Sequence, residues 1–327
     1  MDDLVTSTGM SVSTTEGALR TLDVSAMLES FISYLDASPA SVRTYARAIR
    51  PFMKFVQENN ITAPARKDVI RFRDVLLETR KASTVQLYMT AVRLFFQWAE
   101  DTGMYQDITR RVRVSKPNQG MHAKDCLTMN QCIDVLLAAR KQESFMKGTR
   151  DFAMIYLMLA GGFRTIEISR ANVEDLRQRG EHCVLYVQGK GREDKREFVR
   201  VSPEAAQAVR EYLRVRGAKE GEPLFTACGN RKGEQGRMST RSVSKVVKEA
   251  MRAAGYDSER LTAHSTRHTA VTMALSRGEP LEKVQQFARH KNIQTTLIYV
   301  HELSQDSNDC SDRVGSAIAE ALRSRAA

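Results

Sequence analysis

The sequence is poor in cysteine, proline and tryptophan, and it has no long apolar run. Its five cysteines show no paired short spacing, which argues against a cysteine zinc site and against a disulfide framework. The apolar stretches fall short of the roughly 18–20 residues that a membrane helix needs. The N-terminal segment lacks the basic start and the apolar stretch of a signal peptide. We therefore expect a protein without membrane contact that works in the reducing cytoplasm.

Basic residues, in contrast, are abundant. Among the 327 residues, 50 are Lys or Arg and 39 are Asp or Glu, so the formal net charge is +11. A surplus of this size favours a polyanionic partner, most often nucleic acid, although a merely basic globular protein fits the same number. The hydrophobic fraction of 42% is ordinary for a globular protein. The length predicts two domains, at roughly 100–200 residues each.

The first part of the chain divides into a tail and a helical domain. Residues 1–22 are rich in Ser, Thr and Gly, which predicts a mobile tail. Residues 23–107 carry apolar residues at three- and four-residue steps, which predicts about four helices. The second helix opens at Ser38-Pro39, and the third is predicted to turn Val75 inward. Basic side chains outside the apolar stripes are either a solvated surface or DNA contacts, and the candidates are Arg43, Arg47, Lys54 and Lys81.

Two basic segments lie outside the predicted helices. Residues 108–122 contain proline and glycine and are predicted to link the two domains. Arg110, Arg111 and Arg113 in this segment are placed to follow a phosphate backbone, unless the segment is an ordinary charged linker. A polar, basic loop further on ends at Arg241, another candidate for DNA contact.

The second domain, residues 123–327, is predicted to combine helices with one hairpin. A strongly apolar helix ends at Gly161-Gly162. Residues 182–188 and 196–202 are β-branched and aromatic runs, and the glycine-rich tip between them carries Lys190, which predicts a β-hairpin. The chain closes with an amphipathic stretch that contains Val314, Ile318 and Leu322.

Six side chains of this domain suit attack on a phosphodiester: Arg164, Lys190, His264, Arg267, His290 and Tyr299. Arginine offers two parallel hydrogen bonds to the non-bridging phosphate oxygens and stays ionised. Histidine exchanges protons near neutral pH, and a lysine at a hairpin tip can protonate the leaving oxygen. Tyrosine supplies a nucleophilic oxygen. Each of these residues alone is more commonly structural, so the prediction depends on the set.

Two other interpretations of the same residues are rejected. His264 and His268 have the spacing of a zinc-binding helix, but Ser265 stands where a metalloprotease has glutamate. Lys190 lies between two glycines, but it is not followed by the Ser or Thr of a P-loop. We therefore expect no metal and no other cofactor, and we interpret His268 as a packing support for the site.

In their order along the chain, the six residues resemble the catalytic boxes of the tyrosine recombinases, the phage integrase and Xer-type enzymes that cut and rejoin DNA. The resemblance implies a mainly α fold with a small antiparallel β-sheet. It comprises an N-terminal helical core-binding (SAM-like) bundle and an α+β catalytic domain. It also implies that Glu167 steadies Arg164. The sequence departs from the family at Phe163, Thr266 and Ala288-Arg289, where Leu, Leu and Leu-Gly are usual, which leaves the packing at Arg289 open.

The resemblance further implies a reaction and partners. Tyr299 forms a 3′-phosphotyrosyl bond and releases a 5′-hydroxyl, without metal or ATP. The partner is double-stranded DNA carrying recombination sites, bound by a homotetramer, whereas the free protein can be a monomer. Accessory DNA-bending or directionality factors fit this scheme. Integration or excision of a mobile element is the first expectation. Xer-type resolution of chromosome or plasmid dimers, a topoisomerase and a non-catalytic DNA-binding regulator of the same fold are the alternatives.

Overall fold

The computed structural model describes residues 24–114, 125–189, 194–227, 236–306 and 308–326. The chain divides into two compact units, Met1–Gln119 and Gly120–Ala327, each with its own hydrophobic core. The predicted tail, residues 1–22, lies outside the described residues. So do residues 115–122 of the predicted linker, and Lys190.

Within its described residues, the first unit contains four helices: α1 (Val24–Tyr34), α2 (Pro39–Glu58), α3 (Arg66–Thr79) and α4 (Ala82–Asp101). As predicted, α2 opens at Ser38, whose side chain accepts the backbone N–H of Ser41 at 3.3 Å. Aromatic rings fill the core, since the Phe52 ring meets the Phe72 and Phe96 rings edge to face, with centroids 5.2 and 5.7 Å apart. The large apolar area that these rings bury is the main stabilising contribution.

Two predictions for this unit were wrong. Val75 is 44% exposed, because α3 buries a narrow stripe at Val69, Phe72 and Leu76 and leaves its flank outside. Residues 108–114 are not the start of a free linker. Ile108 and Val112 are 6% and 5% exposed and belong to the core of the bundle. Arg110 and Arg111 lie between the two residues and Arg113 follows them, so the charge of the segment conceals the apolar pair.

The second unit begins with α5 (Met129–Arg140), α6 (Phe145–Gly161) and α7 (Thr165–Arg170). A sheet follows, made of β1 (Leu176–Arg179), β2 (His182–Val187) and β3 (Glu197–Val201). The remaining helices are α8 (Pro203–Arg216), α9 (Thr240–Ala253), α10 (Ala263–Ser276), α11 (Leu281–Ala288), α12 (Gln294–Asp306) and α13 (Cys310–Ala326). Helix α6 is the centre of the core, and Met154, Ile155, Leu157 and Met158 are fully buried.

The sheet is antiparallel, in the order β1-β2-β3. The predicted hairpin is β2 and β3, with Val184 opposite Arg200. Strand β1 pairs with the other edge of β2, with Leu176 opposite Leu185. It was not predicted, because three of its four residues are polar and show no alternation. The predicted fold class, mainly α with a small antiparallel sheet, is confirmed.

Two helices close the described part of the chain. Helix α12 ends at Asp306, and α13 begins at Cys310. Residues 308–325, which include most of α13, are all exposed. Within the described ranges, no helix is long and apolar enough to cross a membrane.

Candidate active site

The turn after α6 places the first arginine. A Cβ atom on Gly161 would lie 2.1 Å from the Phe163 ring, and Gly162 has a φ of 57°, so both positions require glycine. Phe163 is thereby buried in the core, and Arg164 becomes the residue that caps α7. The Arg164 side chain is 29% exposed, so its guanidinium group reaches the surface from a rigid turn.

Glu167 stands at the centre of the charged groups, because its side chain is fully buried between two arginines. Arg164 donates from Nη1 to Oε1 at 3.0 Å, and Arg289 donates from Nη2 to Oε2 at 2.7 Å. Burial by itself raises the pKa of Glu167. The positive charge and hydrogen bonds of Arg289, together with the backbone N–H of Arg164, outweigh burial and hold that pKa below its ordinary value. Glu167 is therefore ionised at neutral pH.

Arg267, on α10, is 1% exposed. It donates to the carbonyl of Gly162 at 2.7 Å and to the carbonyl of Ala288, so it joins the turn after α6 to the end of α11. Burial lowers the pKa of the Arg267 guanidinium to about 9, and the charges of Arg164 and Arg289 act in the same direction. The group is still protonated at pH 7, and a bound anion would stabilise its charged form.

Tyr299 lies beside this cluster on α12 and is 2% exposed. The negative charge of its phenolate would raise the pKa of Arg267, so the two groups are within electrostatic reach of each other. The centroid of the Tyr299 ring is 4.9 Å from that of the His268 ring and 6.2 Å from that of the His290 ring. The Tyr299 and His290 rings are nearly parallel. It packs against an apolar cluster made of Val271, Val284 and Ala288.

The three histidines occupy different positions around the tyrosine. His290 Nδ1 lies 2.9 Å from the hydroxyl oxygen of Thr296, a fully buried residue, and this contact fixes the imidazole ring. His268 is buried, and its ring contacts that of His264 edge to face at 5.4 Å. His264 itself is exposed. The structure thus brings five of the six predicted residues to one region, from the turn after α6, from α10, from the turn after α11 and from α12.

The sixth predicted residue, Lys190, lies outside the described residues. The residue before it, Gly189, is buried, and its carbonyl accepts a hydrogen bond from Arg170 at 3.2 Å. Arg170 is the last residue of α7, the helix that Arg164 caps. The strand that leads into the hairpin tip is therefore attached to the same short helix as the first arginine.

Sequence reasoning did not assign a role to Arg289. Its side chain is 5% exposed and pairs with Glu167, and its backbone has a φ of 53°. A signal was present, because an arginine stands directly before His290 where the resembled family usually has glycine. A glycine preference marks a left-handed backbone, but no pattern in the sequence indicates that the guanidinium group turns inward to Glu167.

The candidates for DNA contact in the first unit are Arg43, Arg47, Lys54, Lys81, Arg110, Arg111 and Arg113, and all are exposed. Lys54 pairs with Glu58 at 3.3 Å on the surface, and such exposed pairs are weak. Arg110 pairs with Glu100 at 2.6 Å, so a carboxylate already matches its charge. Both side chains therefore already have a carboxylate partner at the surface.

A recess in the first unit is lined by four arginine residues. Arg66, Arg73, Arg111 and Arg113 line one cavity of about 410 Å³, which we call the arginine recess. Arg66 donates to the carbonyl of Arg111 at 3.3 Å, and Arg73 donates to the carbonyl of Arg113 at 2.8 Å. Even with Asp74 paired to Arg73 at 2.7 Å, the recess carries a net positive charge. Two of its guanidinium groups, those of Arg66 and Arg73, are held by backbone carbonyls.

In the second unit, Arg241 lies next to the candidate site. Together with Arg164, His264, Lys245 and Lys248, it lines a cavity of about 660 Å³. The charged cluster at Glu167 therefore opens, through Arg164, into a groove bordered by basic side chains of α9. Glu259 also lines it, so the groove keeps a net positive charge beside Arg164.

Comparisons with known proteins cover both units. The profile of the Phage integrase family matches residues 125–306, and that of the Phage integrase, N-terminal SAM-like domain, matches residues 28–103. Tyrosine recombinase XerC of Mannheimia succiniciproducens is 28% identical over 287 residues, which is 84% of this chain and 92% of that protein. Tyrosine recombinase XerD of Caulobacter vibrioides is 30% identical over 236 residues, 70% of this chain and 74% of that protein.

Solved structures share the fold at low sequence identity. The XerH site-specific recombinase, in a post-cleavage complex with palindromic difH substrate, matches with a TM-score of 0.70 at 19% identity, over 88% of this chain and 85% of that one. A lambda integrase tetramer bound to a Holliday junction matches with a TM-score of 0.65 at 15% identity, over 85% and 77% of the two chains. At these identities the match shows the fold alone.

Proposed function

Because this chain belongs to the phage integrase family of tyrosine recombinases, we propose that Tyr299 is the nucleophile with which it cuts and rejoins DNA. The observation that carries the assignment is the position of Tyr299, which is buried, contacts the rings of His268 and His290, and lies within electrostatic reach of Arg267. A tyrosine serving only as core would not need this charged surrounding.

Arg164 and Arg267 hold the scissile phosphate in this proposal. Charge develops on the non-bridging oxygens as the tyrosine attacks, so fixed guanidinium groups stabilise the transition state more than the ground state. Both side chains are anchored before DNA arrives, Arg164 by Glu167 and Arg267 by the carbonyl of Gly162. This preorganisation avoids the cost of ordering the groups during the reaction.

The chemical step exchanges one phosphoester bond for another. The Tyr299 oxygen bonds to phosphorus as the bond from phosphorus to the 5′ oxygen breaks. The phenol proton passes to a neighbouring base, for which His290 and His264 are the candidates, and the 5′ oxygen receives a proton from Lys190. The 3′-phosphotyrosyl bond keeps the energy of the phosphodiester, so a 5′-hydroxyl can reverse the step without a nucleoside triphosphate.

The test is covalent capture on a duplex that the protein itself selects from random-sequence DNA. A nick placed within the selected site lets the cut strand diffuse away and traps the intermediate, which runs as a shifted band on a denaturing gel. We expect the band with the wild type and none with Tyr299→Phe. Arg267→Ala should lose the band but keep duplex binding. A band of wild-type strength from Tyr299→Phe would refute the assignment.

Two alternatives are separated by the same reagents. A non-catalytic regulator would bind the selected duplex and form no covalent band. A topoisomerase would relax a supercoiled plasmid that lacks the selected site, whereas a site-specific recombinase needs that site. The family membership and the intact set of described catalytic side chains favour the recombinase.

For the biological role, we infer that Xer-type dimer resolution is better supported than the integration or excision of a mobile element. The relatives described above are a XerC and a XerD, at 28% and 30% identity. Mapping the bound sites in the source genome distinguishes the two roles. A single chromosomal site supports resolution, and sites at the ends of a mobile element support integration. The same mapping would expose binding sites for accessory DNA-bending or directionality factors next to the core site.

The first unit serves in this scheme as the core-binding domain, and the arginine recess is its strongest candidate for a phosphate contact. Each lysine or arginine that neutralises a phosphate steepens the salt dependence of binding by roughly 0.9 in log–log slope. Arg66→Gln combined with Arg113→Gln should therefore flatten the slope by about 1–2. Arg110→Gln is the matched control, because Glu100 already pairs with that residue. An equal effect of the control would contradict the assignment to the recess.

Recombination between two duplexes needs four active sites, and we propose that α13 of one copy docks on the next. A helix exposed on all sides gains too little from its own hydrogen bonds to be stable in water. Val314, Ile318 and Leu322 are 59%, 56% and 65% exposed and lie on one face. The proposed acceptor is an apolar groove of about 640 Å³, lined by residues of α5, α6, α10 and α11 and including Ile133, which is 49% exposed.

Deletion after Asn308 should impair pairing of two duplexes while single-site binding continues. Ile318→Asp in the helix and Ile133→Asp in the groove should each have the same effect, because either change places a charge in an apolar contact. Asp312→Asn is the control on α13. Loss of pairing is measured by native gel or light scattering on the DNA complex. If both isoleucine variants pair duplexes as well as the control, docking between copies is wrong.

A further inference from the structure

Arg289 combines an unfavourable backbone with a buried charge. It ends α11 with a φ of 53°, in the left-handed region that side chains other than glycine rarely adopt. Its side chain is only 5% exposed, and a buried guanidinium group is costly unless it is paired and hydrogen-bonded. The contacts of the Arg289 side chain must therefore offset both the unfavourable backbone conformation and the burial of a charge. This combination indicates that the side chain has a specific role.

The guanidinium group makes a two-point contact with Glu167. Nε donates to Oε1 at 3.2 Å, and Nη2 donates to Oε2 at 2.7 Å. Further hydrogen bonds go to the carbonyls of Phe287 at 2.7 Å and Gly162 at 3.0 Å. The guanidinium carbon also lies 5.3 Å from the centre of the Phe163 ring. These partners fix the planar group against both oxygens of the Glu167 carboxylate.

Glu167 is thus shared by two arginines. Its Oε1 also accepts from Arg164 Nη1 at 3.0 Å, and the backbone carbonyl of Arg289 accepts from Arg164 Nη2 at 3.1 Å. Alone with Arg164, one carboxylate would cancel the one positive charge. With Arg289 present, two guanidinium groups share one carboxylate and a positive charge remains. That charge is available at Arg164, which is 29% exposed, whereas Arg289 is enclosed.

We propose that Arg289 is a positioning residue for DNA cleavage, whose guanidinium group neutralises Glu167 and whose carbonyl orients Arg164, so that Arg164 keeps its charge for the scissile phosphate. This inference rests on the proposed function, in which Arg164 holds that phosphate.

Arg289→Gly in the full-length protein tests the side chain without straining the backbone, because glycine adopts a positive φ freely. The readouts are the single-turnover cleavage rate of a nicked duplex selected by the wild type, and the dissociation constant of the same duplex. We expect the cleavage rate to fall by roughly tenfold or more and the dissociation constant to change less than about threefold, because the effect is on transition-state charge. A wild-type cleavage rate would overturn the proposal.

A second variant distinguishes positioning from a purely structural role. In the Arg289→Gly background, Glu167→Gln removes the carboxylate that would otherwise cancel Arg164. The double variant should therefore cleave several-fold faster than Arg289→Gly alone. If Arg289 is only structural, the cleavage rate of the double variant should equal that of Arg289→Gly or fall below it. Either result overturns the proposal. If the wild type itself forms no covalent product, the proposed function fails first, whereas wild-type cleavage without these variant effects refutes only the role of Arg289.

Discussion

Glu167→Gln is the substitution whose effect on stability follows most directly from the structure. It replaces a carboxylate whose side chain is fully buried against that of Arg289, which is 5% exposed. The neutral amide keeps the shape and some hydrogen bonds but leaves guanidinium groups facing one another. Breaking a buried ion pair in this way costs about 3–5 kcal/mol of folding free energy. For a unit of this size, that loss corresponds to a melting temperature lower by roughly 6–20 °C.

The measurement is thermal and urea unfolding, followed by circular dichroism and by tryptophan fluorescence. The chain has one tryptophan, Trp98, which is 2% exposed in the core of the first unit. Its fluorescence therefore reports on the first unit and acts as an internal reference for a change located in the second. We expect Glu167→Gln to shift the circular dichroism transition and to leave the Trp98 transition in place.

The matched control is Glu249→Gln on α9. Glu249 pairs with Lys245 at 3.6 Å, and the two side chains are 50% and 74% exposed, so the pair is worth about 0–1 kcal/mol. If Glu167→Gln costs no more than this control, the buried charge network does not stabilise the unit and the reasoning is refuted.

The pH dependence provides a second check on the same residue. Because the folded-state pKa of Glu167 is lowered, its contribution to stability is complete above its unfolded-state pKa, near 4.3, and is lost as pH falls through the folded-state pKa. Wild-type stability should fall more steeply below about pH 4 than the stability of Glu167→Gln, which has no such group. Parallel curves for the two proteins would contradict the lowered pKa.

Three further predictions concern the site. Arg267→Lys keeps the positive charge but loses the planar guanidinium group with its two parallel hydrogen bonds. The single-turnover cleavage rate should therefore fall by roughly 10²–10³, while the affinity for the duplex stays the same. A cleavage rate close to that of the wild type would mean that the guanidinium geometry is unimportant. Thr296→Val removes the hydroxyl group that holds the His290 ring. The loss of a hydrogen bond worth about 1 kcal/mol should lower the cleavage rate by roughly fivefold. An unchanged rate would mean that the His290 ring does not need this hydrogen bond. Gly162→Ala should lower the free energy of unfolding of the second unit by about 1–2 kcal/mol, measured by urea unfolding, because the backbone at this position has a φ of 57°. A Cβ atom there would meet only ordinary contacts, so the backbone conformation is the sole cause. A decrease well below about 1 kcal/mol would contradict this explanation.

Much of the site could be predicted because its residue types are dictated by local constraints. The paired glycines at 161 and 162 mark a helix end, and the arginine after them had to emerge at a turn. The buried helix α6 follows from a strongly apolar run, and the β2–β3 hairpin follows from two β-branched and aromatic runs around a glycine-rich tip. In each case, a short window of sequence contains the whole physical cause.

What could not be predicted depends on contacts between distant segments. Strand β1 is polar and exists because β2 offers it an edge. Ile108 and Val112 are buried because the bundle provides a surface for them, although arginines surround them in the sequence. The inward turn of Arg289 depends on Glu167, which lies more than a hundred residues earlier. No local pattern encodes these three features.

The central claim is that a cluster of fixed guanidinium groups presents a DNA phosphate to Tyr299. It is tested most directly by mass spectrometry of the trapped covalent complex after nuclease and trypsin digestion. Cleavage at Lys291 and Arg313 releases a peptide in which Tyr299 is the single tyrosine. The account predicts this peptide with the added mass of a 3′-phosphonucleotide on Tyr299. The same adduct on any other residue, or a covalent complex that leaves this peptide unmodified, would contradict it.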